Sequence, residues 1–426
     1  PAFLALVAEP LFLLADSAIV GHLGTPQLAA LGIASSVLGT LVSLCIFLAY
    51  GTTASVARRV GAGDPAGALH QGIDGLWLAV LIGLGVTVVT VPFARTVVGW
   101  FGASQQVADF ATTYLRLALL GAIPLLVMLA ATGVLRGLQD TRTPLVVAVA
   151  ANAVNVLLNV ALVYGVPGVV PPLGIAGSAL GTLVAQLGSA TALVWVVVRG
   201  ARRTGVSLAP DRAGIRAAAR AGVPLLLRTL TLRISLLVMT YGAARLGSED
   251  LAAMQLAMTI WTFLAFTLDA IAIAAQAITG RYLGSGDVAG TRAVTDQLVR
   301  WGLLSGVLTG VLLAALSPVL GPLFTPDPAV HALLVPVLVI AAVAQPVAGV
   351  VFVLDGVLIG AGDGRYLAWA GLVVLTAFAP AAAVAVLGAG SLAWLWVAFC
   401  VAFMGGRAVV LLSRARRTTW LRVGAT

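Results

Sequence analysis

Glu9 and Asp16 are the two acids of residues 1–21, a stretch that is otherwise almost wholly apolar. Seven residues are about two helical turns, which puts both carboxyl groups on one face about 10 Å apart. Pro10 lies between them and removes a backbone donor, so a kink or hinge is expected there. A charge in the middle of a bilayer is costly unless it faces protein or water. Each acid therefore has two readings. It is either a structural, hydrogen-bonded group near a helix end, or a site that takes up and releases a proton.

A second polar set falls in residues 144–165, with Asn152, Asn155 and Asn159. The last two are i, i+4 neighbours and share a face. Buried amides join helices in many membrane proteins; the alternative is that these two hydrogen-bond Asp16 and tune its proton. The second half of the chain offers Asp269, Asp355, Arg228, Arg233 and Arg300. Its acids and cations either pair with one another or form a second ion or substrate site. The three histidines, His22, His70 and His331, are far apart, and Cys45 and Cys400 form no C-x-x-C, so neither a His-built metal site nor a disulfide framework is expected. No nucleophile–base arrangement stands out. The two Gly-x-Gly-Asp segments, ending at Asp64 and Asp287, lack any βαβ context for a dinucleotide and read as turns with helix N-caps. Gly174, Gly177 and Gly181 form a small-residue face suited to close helix packing. Phe47, Tyr50, Trp261, Phe263 and Phe266 read as core or lipid contacts.

The elements that must position these residues follow from composition. The 426 residues are 61% hydrophobic and 9% charged, with a mean hydropathy of +1.09. An ordinary soluble domain is about 25% charged, so a soluble enzyme is excluded. A helix crosses about 30 Å of hydrocarbon with about 20 residues. The apolar runs near 1–21, 31–57, 75–100, 107–133, 144–165, 174–198, 223–245, 250–278, 298–318, 330–360, 365–387 and 389–412 give twelve expected transmembrane helices. The first run is already under way at Pro1, so further residues are expected before it, and no cleavable signal peptide is evident.

An internal repeat divides the chain. Gly24, Asp64 and Asp140 recur with their neighbours at Gly247, Asp287 and Asp363, all at one constant offset. Two parallel six-helix lobes follow, residues 1–198 and 223–426 with a short basic tail, joined by a linker at 199–222 that carries six arginines. The net charge is +9 and every basic residue is Arg. Counted by loop, 17 arginines fall on one side, with the linker and the C-terminus, and Arg95 and Arg245 on the other. The positive-inside rule then makes both termini cytoplasmic in a plasma-membrane protein, and the basic charge needs no nucleic acid.

The sequence resembles the multidrug and toxic compound extrusion (MATE) family over essentially its whole length. The resemblance is carried by Asp16 to Gly24, the paired Gly-x-Gly-Asp motifs, Arg136 to Asp140, and Asn155 through Asn159 followed by Gly174 to Ala179. Arg228-Thr229-Leu230, with Leu268-Asp269-Ala270 and Gln276-Ala277, is similar to the DNA-damage-inducible F branch. The resemblance implies two lobes around a central cavity and efflux of a small-molecule substrate, an organic cation or amphipath, driven by H⁺ or Na⁺ and needing no other cofactor. A monomer in the lipid bilayer is expected. It also implies that Asp16 is the coupling carboxylate. Related members carry a second acid where this chain has Asn159, and Glu9 could supply one instead. Asp355 lies where some relatives carry a second-lobe acid. A lipid-linked precursor flippase would favour a more cationic cavity, and a membrane-embedded enzyme would show convergent nucleophile, base or metal residues.

Three expectations follow. Asp16 couples protons, since one desolvated acid with amide neighbours suits a proton better than a cation that needs several oxygens. Pro10 lets the first span bend. Asp269 and Asp355 do not fully replace Asp16, because Arg228 and Arg233 need counter-charges.

Overall fold

A chain in hydrocarbon has to satisfy its backbone internally, and helices do this segment by segment. The computed structural model describes residues 15–324 and 327–425. Among them the strand-like pairing is limited to an isolated bridge between Val166 and Val170. Two compact units divide the chain, Pro1–Arg220 and Ala221–Thr426.

The first unit holds the described end of the first helix (α1, residues 15–21), then α2 (Thr25–Cys45), α3 (Phe47–Gly61), α4 (Pro65–Gly99), α5 (Gln105–Leu120), α6 (Ala122–Gly137), α7 (Arg142–Tyr164) and α8 (Ile175–Arg203). From α9 (Arg212–Leu246) the chain passes into the second unit. There α10 (Ser248–Gly284), α11 (Val288–Phe324), α12 (Pro328–Gly360), α13 (Gly364–Val384), α14 (Leu392–Ala398) and α15 (Gly406–Ala415) follow, with wider π-helical turns at Ala385–Ala389 and Phe399–Gly405. Ten stretches of helix are long and apolar enough to cross a membrane, with α2 and α3 forming one of them. The pair α5–α6, bent by 47°, makes an eleventh. Most of the remaining expected span, 1–21, lies outside the described residues.

The Arg-rich stretch departs from a simple linker. Helix α8 runs on to Arg203 and α9 starts at Arg212, so only residues 204–211 are non-helical. Nothing at Arg199, Arg202, Arg212 or Arg216 opposes a helix, because arginine is a good helix former. Gly205, at a φ of 70°, and Pro210 set the break instead.

The turn motifs behave as caps. Asp64 Oδ1 accepts from the Gly67 amide at 2.8 Å, and its repeat partner Asp287 accepts from Gly290 at 2.7 Å. The Gly67 bond, helped by Arg59 at 3.0 Å, holds the Asp64 carboxyl below the ordinary carboxylate range. Gln139 sits at a φ of 68°, and its repeat partner is Gly362 at 73°; the repeat keeps a left-handed turn even where its side chain is not glycine.

Packing is inverted relative to a soluble protein. Small residues such as Ala30, Ala34, Ala57 and Ala79 are fully buried, while Leu157, Val88 and Leu308 face outward. Lipid is as apolar as leucine, so close backbone approach through small residues brings the helices together. A Cβ on Gly133 would lie 2.6 Å from the Ala49 carbonyl, and one on its repeat partner Gly356 would overlap the carbonyl of Ala272, the repeat partner of Ala49. Gly83 meets Ile123 Cα and Gly306 meets Pro346 Cα at the same 2.7 Å. In the second unit α12 packs against α10, α11, α14 and α15 and is the most covered of the spans. Beside it Trp261, Phe378, Trp396, Phe399 and Phe403 form an aromatic cluster, largely edge-to-face with Phe399 stacked on Phe403, which takes Trp261 into the core, whereas Phe263 is exposed.

Gly356→Val forces a branched side chain into the α10 backbone. It is expected to lower stability by about 1–3 kcal/mol, read as a fall in melting temperature in detergent. Gly39→Val, at an exposed position with nothing within 4 Å, is expected to melt like the parent chain.

Candidate functional site

The end of α1 brings Asp16 into the first unit, where it is 5% exposed. Its Oδ1 accepts from Asn159 Nδ2 on α7 at 2.8 Å and from Ser178 Oγ on α8 at 2.7 Å. The Tyr164 hydroxyl donates to the Ile19 carbonyl at 2.7 Å and fastens the same helix one turn on. These contacts depend on α7 and α8 lying close together. A Cβ on Gly177 would meet the Leu162 carbonyl at 2.5 Å, and one on Gly181 would overlap Asn159 Oδ1. The small-residue face thus presses Asn159 toward Asp16.

The network extends along the same helices. Asn155 Nδ2 donates to Thr182 Oγ1 at 3.2 Å, and the buried Tyr114 places its hydroxyl beside Ser178 and Thr182. Asn155 Oδ1 and Asn159 Oδ1 are buried with no hydrogen-bond partner among the described residues. Among the described residues every donor to Asp16 is neutral, and no ion pair reaches it. Hydrogen bonds from neutral groups solvate a carboxylate but leave its net charge, which only a proton or a small cation can cancel. Asn152 is half-buried on the same helix. Glu9 and Pro10 lie outside the described residues.

The second unit treats its buried acid differently. Asp355 on α12 is 6% exposed and is held by two guanidinium groups. Arg228 on α9 donates through Nε to Oδ1 at 3.1 Å and through Nη2 to Oδ2; Arg407 on α15 donates through Nη2 to Oδ2 at 2.9 Å. Arg407 also lies over the Phe403 ring, 5.6 Å from its centroid. The cluster has two cations for one acid. Arg407, rather than the Arg233 suggested by the sequence, joins Arg228 there; Arg233 is exposed on α9, and Asp269 is half-buried on α10.

Sequence reasoning did not single out Thr182, Tyr114 or Arg407, and Ser178 entered only within a motif. Ser178 and Thr182 are i, i+4 on the helix that carries Gly177 and Gly181, a signal that could have placed them beside the amides. Arg407 precedes a run of tail arginines and was masked by them.

The sequence profile of the MatE family matches residues 1–161 and 224–380. Protein DETOXIFICATION 44, chloroplastic, of Arabidopsis thaliana is 30% identical over 387 residues, covering 88% of this chain and 73% of that protein. The DNA damage-inducible protein F of Escherichia coli (strain K12) is 28% identical over 292 residues, covering 67% and 62%. Among solved structures, MATE in the straight conformation matches with a TM-score of 0.88 at 22% identity, covering 99% of this chain and 95% of that one. A MOP superfamily transporter from Pyrococcus furiosus gives 0.89, also at 22% identity, covering 99% and 94%. These structural likenesses establish the fold.

Removing the acid of the Asp355 cluster takes a shared counter-charge from two buried guanidiniums. Asp355→Asn is expected to cost about 3–5 kcal/mol, seen as a lower melting temperature in detergent. Adding Arg407→Leu to that variant removes one of the two charges and is expected to recover part of the loss.

Proposed function

The chain belongs to the MatE family and is a multi-pass membrane transporter of multidrug and toxic compound efflux type, and on that premise we propose that it is an antiporter that exports an organic cation or amphipath in exchange for H⁺, with Asp16 as the coupling carboxylate. The observation that carries this reading is the setting of Asp16, buried among neutral donors with no ion pair among the described residues. An acid already bound to arginine is a poor proton carrier, because neutralising it exposes the arginine's charge. That argument sets Asp355 aside, since Arg228 and Arg407 both hold it.

In this reading Asp16 exists in two forms that pack differently. As a carboxylate it accepts from Asn159 and Ser178. When protonated it becomes a donor, and the buried Asn159 Oδ1 is an acceptor close at hand. An amide and a hydroxyl can serve both forms, so switching the proton rearranges the bonds between α1, α7 and α8 without stranding a charge. Each conformation of an alternating-access cycle then favours one form, and release of the proton on one side becomes linked to release of substrate on the other. Exchange of one proton for one monovalent cation is electroneutral. The attainable substrate ratio then follows the pH gradient alone, about tenfold per unit.

A second reading, Na⁺ coupling, is favoured by one observation. The unpartnered Asn155 Oδ1 and Asn159 Oδ1 are oxygen ligands of the kind a hard cation takes.

One experiment separates the readings. Purified protein in liposomes is given an outward-driving pH gradient or Na⁺ gradient, and efflux of a fluorescent organic cation is followed. The expected outcome is transport under the pH gradient alone, insensitive to a membrane potential set with potassium and valinomycin. Asp16→Asn is expected to bring gradient-driven transport to background while melting within a few degrees of the parent. Full transport by Asp16→Asn would sink the assignment, and transport under the Na⁺ gradient alone would move it to the second reading.

A further inference from the structure

Three side chains of metal-ligand type meet within the first unit, where the connection of residues 204–211 passes α4. His70 and Asp74 are four residues apart on α4 and so share one face. Asp211 comes from the connection itself, far along the chain from His70. One donor atom from each of the three lies within 4.8 Å of the others. His70 Nδ1 stands 3.4 Å from Asp74 Oδ2. Asp74 is 3% exposed, and its Oδ1 is buried without a hydrogen-bond partner among the described residues.

The surroundings hold this group in place. Asp211 accepts from the Ala213 amide at 3.0 Å and the Gly214 amide at 3.1 Å, which fixes its carboxylate at the start of α9. The Asp211 backbone amide faces the Asp74 carboxylate. Gly214 lets α9 come down directly on Asp74, since a Cβ there would overlap Asp74 Oδ2. The Trp77 indole donates to the Leu208 carbonyl at 3.0 Å one turn away and pins the connection to α4. Arg59, a cation near Asp74, is engaged elsewhere, with Gln71 Oε1 at 2.7 Å and Asp64 Oδ2 at 3.0 Å.

Two carboxylates this close repel each other unless a cation or a proton is shared between them. An imidazole nitrogen beside two carboxylates is a donor set for a borderline divalent ion. Zn²⁺ takes His nitrogen and Asp oxygen at about 2.0–2.2 Å in a tetrahedron, which sets the ligand atoms about 3.3 Å apart. Closing from the observed spacing to that distance needs a shift of about 1.5 Å, within the range of a rotamer adjustment at the half-exposed His70. Mg²⁺ and Ca²⁺ prefer all-oxygen sites and do not suit the imidazole. We propose that His70, Asp74 and Asp211 form a binding site for a zinc-class divalent cation, with water completing the shell, and that the ion clamps the connection between the two units onto α4.

The test uses the purified chain with any affinity tag removed. Calorimetric titration with ZnCl₂ is expected to give one saturable site per chain, weakened about tenfold or more by His70→Ala and by Asp211→Asn. Trypsin cuts after arginine, so Zn²⁺ is also expected to slow cleavage between residues 199 and 220 in the parent chain and not in the variants. MgCl₂ is expected to do neither. His70 is half-exposed, so His70→Ala keeps the test valid even where Asp74→Asn disturbs folding. Absence of saturable Zn²⁺ binding by the parent chain, or equal binding and equal protection in His70→Ala and Asp211→Asn, overturns the proposal.

Discussion

Hydrocarbon supplies neither hydrogen bonds nor counter-ions, and both helical units are organised around that lack. Backbone groups are met inside helices. Every buried charge then needs its own solution, and Asp355 and Asp16 illustrate two of them. Asp355 is matched by guanidinium groups from two other helices, which makes it a fastening between α9, α12 and α15. Asp16 is matched by neutral donors, which steady it and leave its charge free to be cancelled by something that comes and goes. The proposed coupling role rests on this contrast between a matched carboxylate and a merely solvated one.

The repeat sharpens the contrast. Helix contacts are shared between the halves down to the individual glycine: Gly133 on Ala49 and Gly356 on Ala272, Gly83 on Ile123 and Gly306 on Pro346. The polar network is not shared. The repeat counterparts of Asp16, Asn155 and Asn159 are Met239, Phe378 and Ala382, all buried and apolar. Conversely, the counterpart of Asp355 is Thr132. Duplication supplied a scaffold, and each half then acquired its own chemistry at positions where the packing already allowed close approach.

How much of this could be read from the residues depends on how unusual each is in its setting. Eleven of the expected spans were legible because their length and hydropathy answer directly to bilayer thickness. The turns were legible because Gly63, Gly286 and the capping Asp64 and Asp287 recur in register. Asp16 and Asn159 stood out because a polar group in an apolar run is expensive. Ser178 did not, since a small hydroxyl on a glycine face passes equally well for packing. Arg407 was hidden for another reason: it closes the expected span 389–412 just before a run of tail arginines, and only the fold shows it turned inward to Asp355. Asp211 read as part of a solvated connection, and no spacing rule ties it to His70 or Asp74 when the three meet only through tertiary structure.

The burial of α12 bears on how the protein is made. Its apolar window has a mean hydropathy of 2.6 and is 61% covered by other helices, against 39% or less for the remaining single-helix spans. Such a segment enters a bilayer readily by itself, yet in the finished molecule little of it meets lipid. Its neighbours α14 and α15 are synthesised after it. The newly inserted α12 packs first against α10 and α11, made before it, and its remaining side keeps acyl chains that leave when the C-terminal helices arrive. Completion of the second unit is then a late exchange of lipid for protein along one side of that helix. Slow synthesis or loss of the chain from Leu392 onward leaves that side of the helix to the lipid and removes Arg407 from Asp355.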